Sequence, residues 1–340
     1  MKPIIIYPPT IEWDYLYQRP QQLLKALSQL GCACVFCNPN VHKYYSSKFY
    51  YLSDNLVLAN TRSFREAVEW ARTIYPCTPL VAYFTYPPHI KQVQETKPDI
   101  VLFDSVDEPS NEFASWLPYY SKAVELADII TASANFLANR AQHYARSEVH
   151  LLPNACDYTH FQAAQVQQPI HCKPFSTSKP VIGYIGAIAP WLDWSLINVM
   201  AHYLTNFEFV FIGPLILQNG ISLASKNMHY LGPMNYADLP RYMSNFNYCL
   251  IPFKLTPMTQ GVNPIKFWEY LASGKQILST KLPEIPVESV IPISEEMFPG
   301  FLPGAAKMNR DARINMARDN SWTKRAIELL EIIQSKLEHG

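Results

Sequence analysis

The amino-acid sequence predicts a doubly wound α/β protein with two domains. Its 340 residues are more than one hydrophobic core usually holds. Short β-branched or aromatic runs alternate with amphipathic segments, which is the pattern of βαβ units around a parallel sheet. The alternation breaks at the polar, proline-bearing stretch of residues 162–180. That composition is typical of a connection between domains.

The first half contains six predicted strands with helices between them. The strands are centred near residues 5, 35, 83, 102, 130 and 151. One helix is predicted over residues 20–30, where Pro20 suits the first turn and Gly31 follows the last. A second helix is predicted over residues 62–74. We assign residues 1–165 to this N-terminal domain.

The second half repeats the same organisation in residues 178–319. Its strands are predicted in "PVIGYIG", "EFVFIGP", "MHYLG", "YCLIPF" and "QILST", and its helices near 193–204, 236–245 and 263–273. An amphipathic helix begins at about Ser321, with Ile327, Leu330 and Ile333 on one side. We treat residues 320–340 as a separate C-terminal helix.

Charge and apolar patterning exclude several classes of protein. The 28 basic and 28 acidic residues balance, so no global basic field favours nucleic acid as a partner. The apolar core of "MKPIIIYPPT" is too short for a signal peptide, and no later apolar run is long enough to span a bilayer. The cysteines lack zinc-site spacing. These features predict a cytoplasmic protein with reduced thiols.

The segment "GVNPIKFWEYLASGK", residues 261–275, predicts a short helix with an unusually placed cation. Asn263 suits the N-cap, Pro264 the first helical position and Gly274 the position after the last turn. Lys266 then falls in the first turn, where the helix dipole disfavours a cation, and Glu269 shares its face. Two interpretations stay open: an exposed ion pair, or a bound anion that Lys266 and the helix amides contact together.

Three predicted strands of the second half end on glycine, at Gly186, Gly213 and Gly232. Glycine lets a backbone approach a nucleotide closely, but it also serves in tight turns. The sequence contains neither a G-x-G-x-x-G fingerprint nor a P-loop. A dehydrogenase or an ATPase is therefore disfavoured.

Two loops of the first half carry charged candidates at predicted strand ends. Arg19 precedes the first helix and is either a surface residue paired with Glu12 or Asp14, or a cation for a bound anion. The loop "FDSVDEPSNEF" includes Asp107, which could act as a base if it is crowded and partly desolvated. The alternative for this loop is an Asp-rich turn.

The stretch "HKYYSSKFYYLS", residues 42–53, interleaves lysines with tyrosines. It could contact a lipid-linked or polysaccharide acceptor at a membrane surface. The alternative is a packed hairpin or loop that covers the N-terminal domain.

The ordered motifs resemble a known family over residues 4–325. They are "YLYQRPQQLLKALSQLG", "FDSVDE", "ADIITASANFL", "LLPNACDYTHF", "PVIGYIGAI", "HYLGPMNYADLP", "IPFKLTP" and "NPIKFWEYLASGKQILSTKLPE". Together they resemble group 1 glycosyltransferases of the GT-B fold, similar to bacterial enzymes of cell-surface polysaccharide assembly of the teichuronic-acid type. The resemblance implies two Rossmann-like domains facing each other across a cleft, with the C-terminal helix crossing back to the N-terminal domain.

The resemblance also implies a function. It predicts a metal-independent, retaining hexosyltransferase that uses a nucleoside diphosphate sugar, UDP- or GDP-linked, as donor substrate and needs no other cofactor. The acceptor would be a carbohydrate or a lipid-linked sugar, with peripheral contact at the inner face of the membrane. The donor would bind mainly to the C-terminal domain and the acceptor mainly to the N-terminal one.

Residues of this sequence match the family pattern only in part. Glu269 matches the glutamate on the donor ribose, but Gly261 stands where the family often has a second glutamate, near the donor sugar. Ala187 stands where many members have an arginine. Lys266 is thus the first candidate for the cation that binds the diphosphate, and Arg19 is the second. The donor sugar would then be recognised by Thr259, Gln260 or backbone amides. The predicted catalytic residues are Asp107, Arg19 and Lys266; the predicted donor-binding residues are Gly186, Gly213, Gly232, Gln260, Asn263, Pro264, Lys266 and Glu269.

Two rival functions remain open at this stage. A nucleotide-sugar epimerase on the same scaffold would act on the donor without an acceptor. A relative that binds sugar nucleotides but has lost turnover would explain Ala187 and Gly261.

Overall fold

The computed structural model divides the chain into two compact units. Unit 1 comprises Met1–Asn154 and Trp322–Gly340, and unit 2 comprises Ala155–Ser321. The residues that the structure describes are 2–40, 47–61, 63–170, 174–175, 178–217, 223–298 and 300–339.

Unit 1 is built on an eight-stranded sheet. Its strands are β1 (Ile4–Tyr7), β2 (Ala33–Cys37), β3 (Phe49–Ser53), β4 (Leu56–Ala59), β5 (Leu80–Phe84), β6 (Ile100–Ser105), β7 (Ile129–Ala132) and β8 (Val149–Leu151). Their order in the sheet is β3-β4-β2-β1-β5-β6-β7-β8. The helices are α1 (Arg19–Gln29), α2 (Phe64–Ile74), α3 (Ile90–Glu95), α4 (Leu117–Glu125) and α5 (Asn135–Gln142).

The sheet of unit 1 is parallel except at one edge. β3 pairs with β4 in antiparallel fashion, while the other neighbouring strands run parallel. β1, β5 and β6 are buried along their whole length, because helices cover both faces of a doubly wound sheet. The chain runs from β1 outward to β2 and β4 and then returns to the other side of β1 at β5. The carboxyl ends of β1 and β5 therefore form the topological switch point of this unit, where such sheets usually bind ligands.

Unit 2 is built on a six-stranded, wholly parallel sheet. Its strands are β9 (Val181–Ile185), β10 (Glu208–Ile212), β11 (Met228–Tyr230), β12 (Tyr248–Ile251), β13 (Gln276–Ser279) and β14 (Ile291–Pro292), in the order β11-β10-β9-β12-β13-β14. Its helices are α6 (Tyr158–Phe161), α7 (Trp194–Tyr203), α8 (Leu239–Ser244), α9 (Pro257–Gln260), α10 (Ile265–Ala272) and α11 (Arg310–Asp319). Here the switch point lies at the carboxyl ends of β9 and β12.

The last helix, α12 (Trp322–His339), belongs to unit 1, where it packs against α1. Its buried side is formed by Trp322, Ala326, Leu329, Leu330 and Ile333. The prediction that Ile327 shares this side is wrong, because 42% of its surface is exposed. No helix within the described ranges combines the length and the apolarity that a bilayer crossing requires.

The structure differs from the sequence-based organisation in two places. The division between units falls at Asn154–Ala155 rather than at the polar stretch. The residues just after it belong to unit 2 because His160 stacks on Tyr236 with 4.5 Å between ring centroids, and Gln165 Nε2 donates to the Ala272 carbonyl at 2.8 Å. The predicted helix 236–245 is a 3₁₀ turn followed by α8.

The lysine- and tyrosine-rich stretch is a hairpin over the part that the structure describes. Residues 49–53 form β3, which pairs with β4 at the sheet edge, and Phe49 stacks on Trp70 at 4.1 Å between centroids. Residues 42–46 lie outside the described ranges. The second half of the stretch is therefore a hairpin strand in which Phe49 packs on the domain, whereas Tyr50, Tyr51 and Leu52 are exposed.

Candidate functional site

Lys266 lies at the topological switch point of unit 2. It occupies the first turn of α10, which begins at Ile265. Its ammonium stands 5.4 Å from the ring centroid of Tyr184 in β9 and 4.9 Å from that of Phe253, just after β12. These are the two strands that flank the reversal of strand order. Sequence reasoning placed Lys266 near strand ends but missed both aromatic rings, which are themselves strand-end residues.

The Lys266 side chain is half-buried and makes no hydrogen bond or ion pair within the described part of the chain. It lies against Gly186, where an added Cβ would come within 2.9 Å of Lys266 Cε. Burial lowers the pKa of Lys266 to about 8, although Glu269 opposes the shift. A partly desolvated cation that lacks a counter-ion is typical of a ligand site.

Glu269 is a buried carboxylate that likewise has no hydrogen-bond or ion-pair partner among the described residues. Only 7% of its surface is exposed. Burial raises its pKa to about 7, while Lys266 acts in the opposite direction. The exposed ion-pair interpretation of Lys266 and Glu269 is therefore wrong: Glu269 is buried, and in the described part of the chain no carboxylate oxygen lies within 4.0 Å of the ammonium.

The start of α10 differs from the predicted cap. Pro264, rather than Asn263, is the N-cap residue, and no side chain caps the helix. The Asn263 side chain instead accepts a hydrogen bond from Trp268 Nε1 at 2.8 Å, because the indole nitrogen is buried with it. The end is as predicted, since Gly274 follows the last turn with φ of +70°. The first-turn amides of α10 are thus left without a side-chain cap.

The three strand-end glycines are neighbours across β11, β10 and β9. Gly213 N–H donates to the Gly232 carbonyl at 3.0 Å, and Gly186 N–H donates to the Ile212 carbonyl at 2.9 Å. A Cβ added to Gly213 would lie only 2.0 Å from the Gly186 carbonyl oxygen. The absence of a side chain at Gly213 is therefore required for backbone packing, whereas a Cβ at Gly232 would meet no described atom within 4 Å.

The two side chains of the loop before α10 that were predicted to contact the sugar differ in accessibility. Thr259 is 1% exposed, and its hydroxyl donates to the Lys254 carbonyl at 2.6 Å, so this hydroxyl is already used inside the loop. Gln260 is exposed at the end of α9. Of the two side chains predicted to replace the missing carboxylate at Gly261, Gln260 is the accessible one.

In unit 1 Arg19 is the centre of a buried polar network. Arg19 Nε donates to Asp104 Oδ2 at 2.6 Å and Nη2 to Asp104 Oδ1 at 3.0 Å, while Nη1 donates to Asn154 Oδ1 at 3.0 Å. Tyr83 and Thr131 hydroxyls donate to the same carboxylate at 2.9 and 2.7 Å. Arg19 is 3% exposed, so the predicted surface pairing with Glu12 or Asp14 is wrong. The network joins the start of α1 to the carboxyl ends of β5, β6 and β7.

The other network members were not predicted from the sequence. Tyr83 and Thr131 sit inside apolar strand runs and Asn154 follows β8. A polar residue inside an apolar strand run is the sequence signal that could have identified Tyr83 and Thr131. Asp104, which the sequence places where the strand meets its loop, lies within β6, and from there its carboxylate accepts the hydrogen bonds of Arg19.

Asp107 lies in the loop after β6, next to a second buried charge pair. Its side chain is half-buried and has no polar partner within the described ranges, and burial raises its pKa to about 7. The neighbouring Glu108 pairs with Arg140 Nη1 at 2.6 Å. A carboxyl group whose pKa is raised by burial and that makes no structural bond is a candidate acid–base group.

The described residues contain no group of three or more His, Cys, Asp and Glu side chains that could hold a metal ion.

Comparison with known proteins identifies relatives. No family model matches the chain. One curated protein, "Putative teichuronic acid biosynthesis glycosyltransferase TuaH" of Bacillus subtilis (strain 168), is 30% identical over 169 residues. The match covers 48% of this chain and 42% of that protein, so it spans less than half of the curated relative.

Solved structures resemble the chain over nearly its whole length. Sucrose-phosphate synthase from Thermosynechococcus elongatus has a TM-score of 0.74 at 12% identity, with both chains fully covered. Anabaena Alr3699/HepE, solved in complex with UDP and glucose, has a TM-score of 0.69 at 10% identity over 98% of this chain and 100% of that one. WaaG, a glycosyltransferase involved in lipopolysaccharide biosynthesis, has a TM-score of 0.65 at 12% identity over 97% and 99% of the two chains.

Such low identities establish the fold alone. Two parallel-sheet units of doubly wound topology are the architecture that these structures share with the chain. The protein accordingly has the GT-B fold and is similar to glycosyltransferases of polysaccharide assembly.

Proposed function

We propose that the protein is a glycosyltransferase that moves a hexose-like sugar from a nucleoside diphosphate sugar to an acceptor hydroxyl. One observation carries the proposal: Lys266 and Glu269, both without a polar partner among the described residues, lie on one face of α10 at the switch point of unit 2. The relatives solved with UDP and glucose, or with UDP-2-fluoro glucose, support a donor of this class.

The two side chains divide the donor between them. Lys266 and the first amides of α10 contact the diphosphate, whose negative charge offsets the cost of the desolvated ammonium. Glu269, one turn further along, accepts hydrogen bonds from the ribose hydroxyls. Gln260 and the backbone near Gly186, Gly213 and Gly232 surround the sugar and the base.

Catalysis depends on charge at the leaving group. As the glycosidic bond breaks, negative charge grows on the diphosphate, and Lys266 stabilises it without a metal ion. The reaction retains the anomeric configuration. Asp107 of unit 1 orients the acceptor hydroxyl or exchanges a proton with it, and Arg19 supports this loop through Asp104 rather than contacting the diphosphate.

The acceptor is a carbohydrate or a lipid-linked sugar in polysaccharide or glycolipid assembly, reached in the cytoplasm or at the inner face of the membrane. The teichuronic acid and lipopolysaccharide assignments of two relatives support this acceptor class.

A nucleotide screen tests the donor site. UDP, GDP, ADP and their sugars are added to the full chain, and the melting temperature and Kd are measured. A bound nucleotide at 100 times its Kd stabilises the protein by about 2.7 kcal/mol. Lys266→Ala should abolish this stabilisation and lower turnover by about 10²- to 10³-fold. The matched control is Lys179→Ala. Lys179 is exposed and precedes β9, at the amino ends of the strands of the same sheet.

Three outcomes would contradict the proposal. No stabilisation by any nucleotide removes the donor site. Isomerised sugar from donor alone indicates an epimerase. Tight donor binding without transfer to any acceptor fraction indicates a relative that binds but does not catalyse.

A further inference from the structure

A basic cavity lies at the amino ends of the strands of the unit 2 sheet. It has a volume of about 540 Å³ and is formed where the amino ends of β12 and β13 meet the segment 305–310 and α11. Gln276 opens β13 and Asn247 precedes β12. Because the strands are parallel, this cavity lies at their amino ends, whereas Lys266 lies at their carboxyl ends. The two sites are also at opposite ends of α10.

Four cations and no carboxylate line the cavity. The cations are Lys275, Lys307, Arg310 and Arg313. None of them forms an ion pair with any residue of the described ranges, although the whole chain carries as many acidic as basic residues. Asp311, on the first turn of α11, is exposed and is not part of the lining. The four positive charges are therefore concentrated at this cavity, and no carboxylate of its lining neutralises them.

Arg310 disfavours the positive charges of two other cations of the cavity, Lys275 and Arg313. Burial, together with the charge of Arg310, lowers the pKa of both Lys275 and Arg313. Arg310 lies over Gly274, where an added Cβ would come within 3.0 Å of its Nε. A bound anion would offset this unfavourable interaction between like charges.

A structural role explains only part of this arrangement. Arg313 Nη2 donates to the Gly274 carbonyl at 3.1 Å and its Nη1 to the Met308 carbonyl, while Lys275 Nζ donates to the Ser244 carbonyl at 2.8 Å. The bonds to Gly274 and Ser244 close the carboxyl ends of α10 and α8, where cations are favoured, and the bond to Met308 holds the segment before α11.

These hydrogen bonds do not account for three cationic groups of the cavity. Arg313 is only 2% exposed, yet its Nε is buried without a partner. Lys307 and Arg310 are exposed to solvent and have no hydrogen-bond acceptor among the described residues, so they are accessible to a ligand. Arg310 also stands at the first position of α11, where the helix dipole favours an anion and disfavours a cation.

We propose that this cavity, formed by Lys275, Lys307, Arg310 and Arg313, is a second anion site of the protein, which binds a phosphate-bearing ligand. Guanidinium groups pair with phosphate oxygens in a forked geometry, which a lysine ammonium supplements as a point charge. The ligand is either a free phosphorylated molecule or a phospholipid headgroup, since both present the same phosphate. The inference does not depend on the donor site at Lys266.

The experiment separates this site from the donor site. The full chain carrying Lys266→Ala is titrated with inorganic phosphate and pyrophosphate by calorimetry at constant ionic strength. In parallel, the same chain is floated with vesicles of phosphatidylcholine, with and without phosphatidylglycerol. We expect binding to one of these probes; soluble phosphates and vesicles distinguish the two sources of the ligand.

The variant Lys307→Gln with Arg310→Gln removes two exposed charges while it leaves the helix-end bonds of Lys275 and Arg313 intact. It should weaken binding by at least about tenfold, because charge-assisted hydrogen bonds are lost. Lys179→Gln, at an exposed lysine outside the cavity, should bind as the parent does. Melting curves verify that each variant is folded. Absence of binding to every probe, or equal binding by the double variant and its parent, overturns the proposal.

Discussion

At the scale of single residues, the strongest functional signal is charge that is buried without a polar partner. Burying an ionised group costs several kcal/mol unless it is paired, and structural charges such as Arg19 and Asp104 are fully paired. Lys266 and Glu269 have no such partner within the described ranges. This difference supports the proposal that Arg19 belongs to the scaffold and that Lys266 contacts the ligand.

The pH dependence of nucleotide binding should follow the charge of Lys266. Its pKa of about 8 means that the ammonium is charged below pH 8 and increasingly neutral above it. We expect the affinity for a nucleoside diphosphate to fall between pH 7 and pH 9, by up to about tenfold for each unit above the pKa. Calorimetric Kd values across this range measure the effect. Lys266→Arg, which stays charged, should show a flat profile; a fall of the same size in that variant would assign the titration to another group.

Glu269→Gln should stabilise the protein while it weakens nucleotide binding. An unfolded glutamate ionises near pH 4.3, whereas Glu269 in the fold has a pKa of about 7. Between these values the folded state holds a proton that the unfolded state has released, so stability falls as pH rises. The variant lacks this loss and should gain about 3 to 4 kcal/mol at pH 7.5 but little at pH 4.5.

Urea unfolding of the wild type and of Glu269→Gln at both pH values checks this result. Glu95→Gln, at an exposed glutamate on α3, is the matched control and should be neutral at each pH. A gain that is equal at pH 4.5 and pH 7.5 would mean that the carboxylate of Glu269 is not the cause.

At the scale of elements, the proposed donor site depends on how closely the strand ends of unit 2 pack. The ends of β9 and β10 touch through backbone atoms of Gly186 and Gly213, and Lys266 from α10 lies directly against Gly186. A short helix placed at a switch point thus brings a cation, amides and glycine backbone to one place.

Gly213→Ala should therefore be strongly destabilising. The new methyl group would lie 2.0 Å from the Gly186 carbonyl, and the backbone at Gly213 has φ of +144°. Because neither constraint can relax through a side chain, we expect a loss of at least about 3 kcal/mol in unfolding free energy, measured by urea denaturation. Gly304→Ala, where the added Cβ meets no described atom within 4 Å, is the control; similar losses in the two variants would contradict the packing argument.

At the scale of the whole molecule, the chain crosses between its units twice. Unit 1 includes the first 154 residues and the terminal helix, so its stability depends on a segment that follows unit 2 in the chain. The apolar side of α12 supplies this contact through its packing on α1.

Truncating α12 side chains should destabilise unit 1 and leave unit 2 unaffected. Ile333 is fully buried, and Ile333→Ala should cost about 2 to 5 kcal/mol, whereas Ile327→Ala at an exposed position should change stability by no more than about 0.5 kcal/mol. Hydrogen exchange followed for peptides of each unit locates the loss. Faster exchange in β9 to β13 than in β1 to β8 would show that α12 supports the other unit.

The periodic features of this fold were predictable because they are local. Continuous apolar runs identified β1, β2, β5, β6, β7 and β8 and the strands of unit 2 up to β13, and Gly274 marked the end of α10. β4 was missed because a four-residue run at a hairpin has few flanking signals. The Asn263 cap was wrong because Trp268, five residues away, takes the side-chain oxygen that a cap would use.

The sequence by itself determined the α/β class, the two parallel sheets and the position of Lys266 and Glu269 on one helix, since each follows from spacing along a short segment. Only the tertiary structure decided which charges are paired. Arg19 meets Asp104 across 85 residues, while Lys266 meets the rings of Tyr184 and Phe253. The cations around Arg313 likewise gather from separate segments. Whether a charge is buried and paired depends on contacts with residues that are distant in sequence. The chemistry of both proposed sites depends on these contacts.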